Sequence, residues 1–322
     1  MYKLLELREK IKVIYSGYSL YIDAAFKVIL ALTGMLLINS NIGTMSLLEN
    51  TLVVIVMSLA CALLPKALLV MLLMFVILGH VYSIALEPAA ILLVIFMLMY
   101  LLFFRFTSKE SYVLIIVPIM FFLNIPYIVP LIVGLVATPI SIVSVAFGTL
   151  VYFVLAFIGQ NYDAMVKAGE EDGFKALTML IDGIFTNTAF YYTIAVLGVV
   201  IILVYIIRRL SVDYSWIVAV CAGGVMQIVL FLMGNIMLED MGIVCSIVSV
   251  IVGGIISLAL AWFLQFFLHS VDYTRTEKVQ FEDDDYYYYV KAVPKVKLQY
   301  SGVKVKRVKA KNVQQMPQQE EK

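Results

Sequence analysis

Residues 187–209 read NTAFYYTIAVLGVVIILVYIIRR. No charged side chain interrupts this run before Arg208, and its apolar part reaches the roughly 20 residues that a helix needs to cross the hydrocarbon core of a bilayer. It stops at Arg208 and Arg209, a basic end of the kind that stays on the cytoplasmic side. Similar segments lie near 20–38, 47–64, 67–85, 88–104, 139–160, 214–235 and 242–268, so with 187–207 the sequence predicts eight spans. The chain is 63% hydrophobic and 14% charged over 322 residues, whereas about a quarter of a soluble domain is charged. These features specify an all-α, polytopic transmembrane helix bundle. Residues 1–19 form a cytoplasmic amphipathic N-terminus, 20–268 a transmembrane domain with an outer loop at 161–186, and 269–322 a charged cytoplasmic tail.

The start of the chain mixes Leu4, Leu5, Ile11, Val13 and Ile14 with Lys3, Arg8, Lys10 and Lys12. This pattern suits a basic helix lying along the lipid surface. No small-residue cleavage site follows the first apolar run, so that run is expected to stay as a helix. Cys61, Cys221 and Cys245 fall inside apolar segments without a CxxC pair and read as packing residues.

Lysine and arginine distribution sets the orientation. With the N-terminus inside, the cytoplasmic set takes the basic residues of the first twelve positions, Lys66, Arg105, Lys109, Arg208, Arg209 and the tail, twenty of the 23 in the chain. Lys167 and Lys175 fall outside, and Lys27 lies within the first span. Arg105 and Lys109 on one side of 113–160, and Arg208 and Arg209 after the next loop, must both be inside. An odd number of crossings therefore separates residue 110 from residue 161. Three complete helices need more chain than this interval holds, which leaves one helix at 139–160 and a re-entrant hairpin at 113–137, broken by Pro118, Asn124, Pro126 and Pro130. A proline-kinked ordinary helix is the alternative. A second interruption at Glu87–Pro88 suggests a comparable hairpin over 67–104 and an internal repeat.

Polar residues inside lipid are the candidates for function. Asp23 and Lys27 stand one helical turn apart and read as a pair, with Lys27 reaching toward the headgroups. His80 reads either as a proton relay or as a hydrogen-bonding link between helices. Asn124 sits at the tip of the expected hairpin, flanked by Pro126 and Pro130, where a polar amide meets unpaired backbone. Gln160, Asn161, Gln227 and Asn235 read as ordinary links across helices. No Ser/His, His/Glu or paired-carboxylate constellation appears at workable spacing, so neither an enzyme nor a cofactor or metal site is expected.

The outer loop carries Phe174, Leu177, Leu180, Ile181, Ile184 and Phe185 at helical spacing behind Glu170, Glu171 and Asp172, which reads as an interfacial amphipathic helix. Asp163 to Gly169 (DAMVKAG) resembles the first part of the cytoplasmic coupling motif of ABC-transporter permeases, departing from it at Met165 and in the ending.

In the tail, Glu282, Asp283, Asp284 and Asp285 precede four tyrosines, while Lys304, Lys306, Arg307 and Lys309 alternate with apolar residues as a one-faced strand does. Such a basic strip is drawn to anionic lipid or to a cytoplasmic protein. The stretch VDYTRTEKVQFEDDDYYYYVKAVPK at 271–295 resembles the tail of a group of multi-pass membrane proteins of Gram-positive anaerobic bacteria. That resemblance implies location in the bacterial cytoplasmic membrane, with both termini cytoplasmic, and no activity. The expected partners are the lipid bilayer, a cytoplasmic protein at the tail and further copies of the chain, with no nucleic acid. The leading expectation is a transporter or permease of an unidentified solute; the alternative is a non-transporting membrane scaffold serving envelope or division machinery.

Overall fold

A computed structural model of the chain describes residues 2–106, 111–210, 214–238, 246–268, 277–282 and 287–292. Leu7–His269 form one compact unit, and the two tail strands belong to another.

The larger unit is helical. Its first helix, α1 (Tyr2–Asn41), bends at Tyr18, where the backbone leaves helical geometry, close to the expected boundary between amphipathic N-terminus and first span. The expected span at 47–64 is instead two pieces, α2 (Ser46–Glu49) and α3 (Thr51–Ala60). Asn50 separates them because its side chain accepts the Leu52 N–H and so starts a new helix. Next come α4 (Lys66–Tyr82) and α5 (Leu86–Phe106). The break between them falls at Ser83–Ala85 and not at Glu87–Pro88. Pro88 sits in the first turn of α5, where its missing N–H has no helical partner to lose. At 17 and 21 residues these are not the short half-helices expected of a second hairpin.

Two short helices follow, α6 (Ser111–Phe122) and α7 (Ile128–Val136). A single 3-10 turn at Pro139–Ser141 leads into α8 (Ile142–Gln160), and the loop beyond it forms α9 (Tyr162–Glu171) and α10 (Gly173–Phe185). Asp172 caps α10 by accepting the Phe174 N–H. Ala176, Leu180 and Ile184 are buried, while Phe174 and Phe185, the two ends of the expected apolar face, are exposed. The unit ends with α11 (Thr188–Arg208), α12 (Ser215–Met237) and α13 (Ile247–Leu268). Asn187 opens α11 by accepting the N–H groups of Ala189 and Phe190.

Five helices among the described residues are long and apolar enough to cross a membrane: 10–41, 139–160, 188–208, 215–237 and 247–267. Four more apolar helices are shorter, at 51–60, 66–82, 86–102 and 111–122.

Contacts fix the direction of each helix. Gly148 of α8 lies against Val117 and the Leu114 carbonyl, and Tyr152 stacks on Phe121 at 4.6 Å, so α6 and α8 run the same way. Ile142 meets Gly198 and Phe153 meets Phe190, so α11 runs opposite to α8. Val204 meets Gly223 and Tyr192 donates to the Leu230 carbonyl at 2.7 Å, so α12 reverses again. Leu131 meets Gly223, and the Tyr127 ring lies 5.2 Å from that of Phe231, so α7 is antiparallel to α12. It follows that α6 and α7 are antiparallel to each other and make a helical hairpin.

Pro118 and Gly148 are matched across the hairpin's edge. Proline at 118 withholds the N–H that would bond the Leu114 carbonyl, and that carbonyl points at Gly148, where a Cβ would come within 3.0 Å of it.

One end of the bundle gathers basic side chains. Lys66 reaches Asp23 at 3.7 Å, Arg8 donates to the Phe266 carbonyl near the end of α13 at 3.4 Å, and Arg208 closes α11. Lys167 and Lys175 lie on α9 and α10, after the far end of α8.

In the tail, β1 (Glu277–Glu282) pairs antiparallel with β2 (Tyr287–Ala292), in a register that sets Glu277 opposite Ala292 and Glu282 opposite Tyr287. Asp283, Asp284 and Asp285, like Lys304, Lys306, Arg307 and Lys309, lie outside the described residues.

Candidate functional site

The hairpin tip is Leu123–Tyr127. Asn124 adopts a left-handed backbone, φ 60°, which asparagine accepts more readily than most side chains. Its N–H bonds the Phe121 carbonyl and that of Ile125 bonds Met120, closing the end of α6. Pro126 is buried in the turn, and Pro130 lies in the first turn of α7, where it costs no helical hydrogen bond. Of the four residues expected to mark the break, Asn124 and Pro126 form the tip, Pro130 opens the limb that follows, and Pro118 lies within α6. Tyr152 stacks on Phe121 and Phe231 meets Tyr127 just beyond the midpoints of α8 and α12, so the tip lies past the middle of these helices, with Leu123 and Asn124 exposed.

Beside the tip lies a pocket of about 370 Å³, whose polar lining comes from Ser40, Asn41, Asn124 and Gln160. It shares Tyr152, Ala156 and Gln160 with a second pocket of about 280 Å³ that adds Asn161 and Asn187. Neither lining includes an Asp, Glu, His, Lys or Arg side chain among the described residues. Carboxamides and a hydroxyl offer both donors and acceptors without charge. The two pockets open at the end of the bundle opposite Arg8 and Lys66.

Other candidates lie apart from this pocket. Asp23 pairs with Lys27 at 3.1 Å as expected, and also accepts from Tyr112 at 2.6 Å and reaches Lys66. Lys66 lies over the Tyr112 ring at 4.5 Å, so the cluster joins the middle of α1 to the starts of α4 and α6. His80 is wholly buried in a different corner. Its Nδ1 accepts from the N–H groups of Thr44 and Met45, both at 3.2 Å. Its Nε2–H therefore donates to Asn39 Oδ1 at 2.9 Å, and Asn39 donates on to the Leu48 carbonyl. Both ring nitrogens are committed to holding the turn after α1, so the geometry favours the hydrogen-bonding reading of His80 over a relay.

Gln227 departs from its expected part as a link across helices. It is wholly buried, and neither its Oε1 nor its Nε2 has a hydrogen-bond partner among the described residues. Ser257 of α13 is in the same condition. Asn235 bonds a carbonyl of its own helix, that of Phe231. Ser40, Asn41 and Ser257 carried no signal in the sequence beyond being polar near apolar runs. Among the described residues no three His, Cys, Asp or Glu side chains come together.

No family model, curated protein or solved structure matches the chain.

Proposed function

We propose that the protein is a permease-like conduit of the bacterial cytoplasmic membrane, with eight crossings, cytoplasmic termini, and the α6–α7 pair dipping in from the cytoplasm as a re-entrant hairpin. The observation that carries this reading is the hairpin tip, which meets an amide-lined pocket at the C-terminal ends of α1 and α8. At 12 and 9 residues, α6 and α7 extend about 18 and 14 Å, each too short to cross alone. Interrupted helices are tolerated in lipid only where protein or a water-filled cavity satisfies the free backbone, and transporters use them to build binding sites. The basic residues at one end of the bundle support the orientation, which makes the pockets outward-facing.

Single cysteines test this in a background lacking Cys61, Cys221 and Cys245. Cysteines at Asn124 and Gln160 are expected to react with a membrane-impermeant thiol reagent added outside intact cells, while cysteines at Ile128, buried in α7, and Val248 stay protected. Protection at Asn124 and Gln160 would remove the aqueous pocket and leave the scaffold reading, in which the tail recruits a partner, as the better one.

A further inference from the structure

We infer that the route through this protein takes neutral, hydrogen-bonding solutes and that Gln227 and Ser257 are its inner binding position, one helical turn beyond the hairpin tip. The inference rests on the conduit reading and adds to it a solute class and a second position.

Gln227 follows Gly223 by one turn and precedes Phe231 by one turn, so the three share a face of α12. Gly223 lies against Val204 of α11 and Leu131 of α7, and Phe231 lies against Tyr127 at the hairpin tip. Ser257 follows Gly253 by one turn on α13, and Gly253 lies against the Tyr127 ring and the Asn124 carbonyl. Both polar side chains therefore face the hairpin limb. They stand at one level, because Gly224 meets Leu258 and Gly254 meets Ile228 on the two antiparallel helices. From Tyr127, both lie toward the basic end of the bundle. The outer pocket is on the other side of the tip, with Asn124 in its lining.

A primary amide and a hydroxyl buried inside an apolar helix bundle without partners are unfavourable as packing elements. The same groups become favourable when a solute supplies the missing donors and acceptors. Outer and inner positions share one chemistry, amide and hydroxyl without charge, so desolvation is compensated for a neutral polyol or amide. It is not compensated for an ion, which would need counter-charge or many oriented oxygens. Tyr127 stands between the two positions, wholly buried at the hairpin tip.

The test uses the full chain in proteoliposomes, with glycerol and urea as neutral probes and rubidium and chloride as charged ones. Glycerol or urea flux above protein-free vesicles is expected, without rubidium or chloride flux. Gln227→Met, close in size but apolar, is expected to slow that flux about fivefold or more, the effect of losing one hydrogen bond along the path, while its thermal unfolding temperature stays equal or rises. Ser257→Ala should act the same way to a smaller degree. Ion flux without neutral-solute flux would overturn the solute class and leave the conduit standing. Absence of flux for every probe, with Asn124 protected from thiol reagent, would overturn the conduit and this inference together. Neutral-solute flux that Gln227→Met leaves unchanged would overturn the inner position alone.

Discussion

His80 and Gln227 are both wholly buried polar side chains in apolar helices, and they stand in opposite circumstances. The histidine corner is closed: each ring nitrogen is engaged, and the asparagine beside it is engaged in turn. The α7 side of the hairpin is open, in that Gln227 and Ser257 have no partner among the described residues. Inside a membrane, a polar residue whose partners are built into the fold is part of the architecture. One whose partners are missing points to something that arrives later. Residue type does not separate the two cases; the count of satisfied donors and acceptors does.

The contrast is most directly broken by comparing His80→Leu with Gln227→Met. Removing the imidazole strands two backbone N–H groups and the Asn39 oxygen, so His80→Leu is expected to destabilise the protein by about 3 kcal/mol. Thermal unfolding in detergent, followed by dye labelling of the buried thiol of Cys61, measures it. A loss of similar size in Gln227→Met would mean that both sites are structural.

Asn124 gives the next largest effect. Alanine there must hold a left-handed backbone without the side-chain compensation open to asparagine, at a cost of about 1–2 kcal/mol, while Asn124→Gly should keep the tip's geometry and most of the stability. Equal unfolding temperatures for the two variants would show that the turn at 124 carries no backbone constraint.

A smaller loss is expected at Asp23, which is about one-third exposed. Asp23→Asn weakens its contacts with Lys27 and Lys66 but keeps an acceptor for Tyr112, so about 0.5–1 kcal/mol is expected. High salt should shrink the difference, and a salt-independent loss would mark the Tyr112 bond as the dominant part.

The smallest effect belongs to the exposed pair of Lys175 with Glu171 at 2.9 Å. Glu171 holds the lysine above its ordinary pKa. A raised lysine pKa contributes stability below the unfolded value and loses it as pH climbs through the folded one. The contribution is therefore present and constant across the neutral range, and solvent screens it. Lys175→Ala should leave the unfolding temperature unchanged within error from mildly acidic to mildly alkaline pH.

Helices long and apolar enough to cross were legible wherever an apolar run was uninterrupted, as at 139–160, 187–207, 214–235 and 242–268. Interruptions were legible as residue types but less so as positions. Asn50 caps a new helix inside the run at 47–64, and the loop between α4 and α5 sits at Ser83–Ala85, because Pro88 is compatible with a first helical turn. The tail's paired strands also went unread. The run of tyrosines carries that signal in its composition, because aromatic residues favour strands. Asn124 was identified because proline and asparagine break helices locally. Gln227 reads locally as a link between helices, since having no partner is a tertiary property that no local window contains.

The hairpin also constrains how the protein is made. Its two limbs are too short to span a bilayer, and they pack on α8, α11, α12 and α13, all of which leave the ribosome after them. No early insertion step can therefore complete this part of the molecule. In the re-entrant arrangement proposed above, the segment from Ser111 to Val136 is held near the insertion machinery until the four later helices have arrived, and truncation anywhere before Leu268 should leave it without its full berth, exposed to quality-control proteolysis.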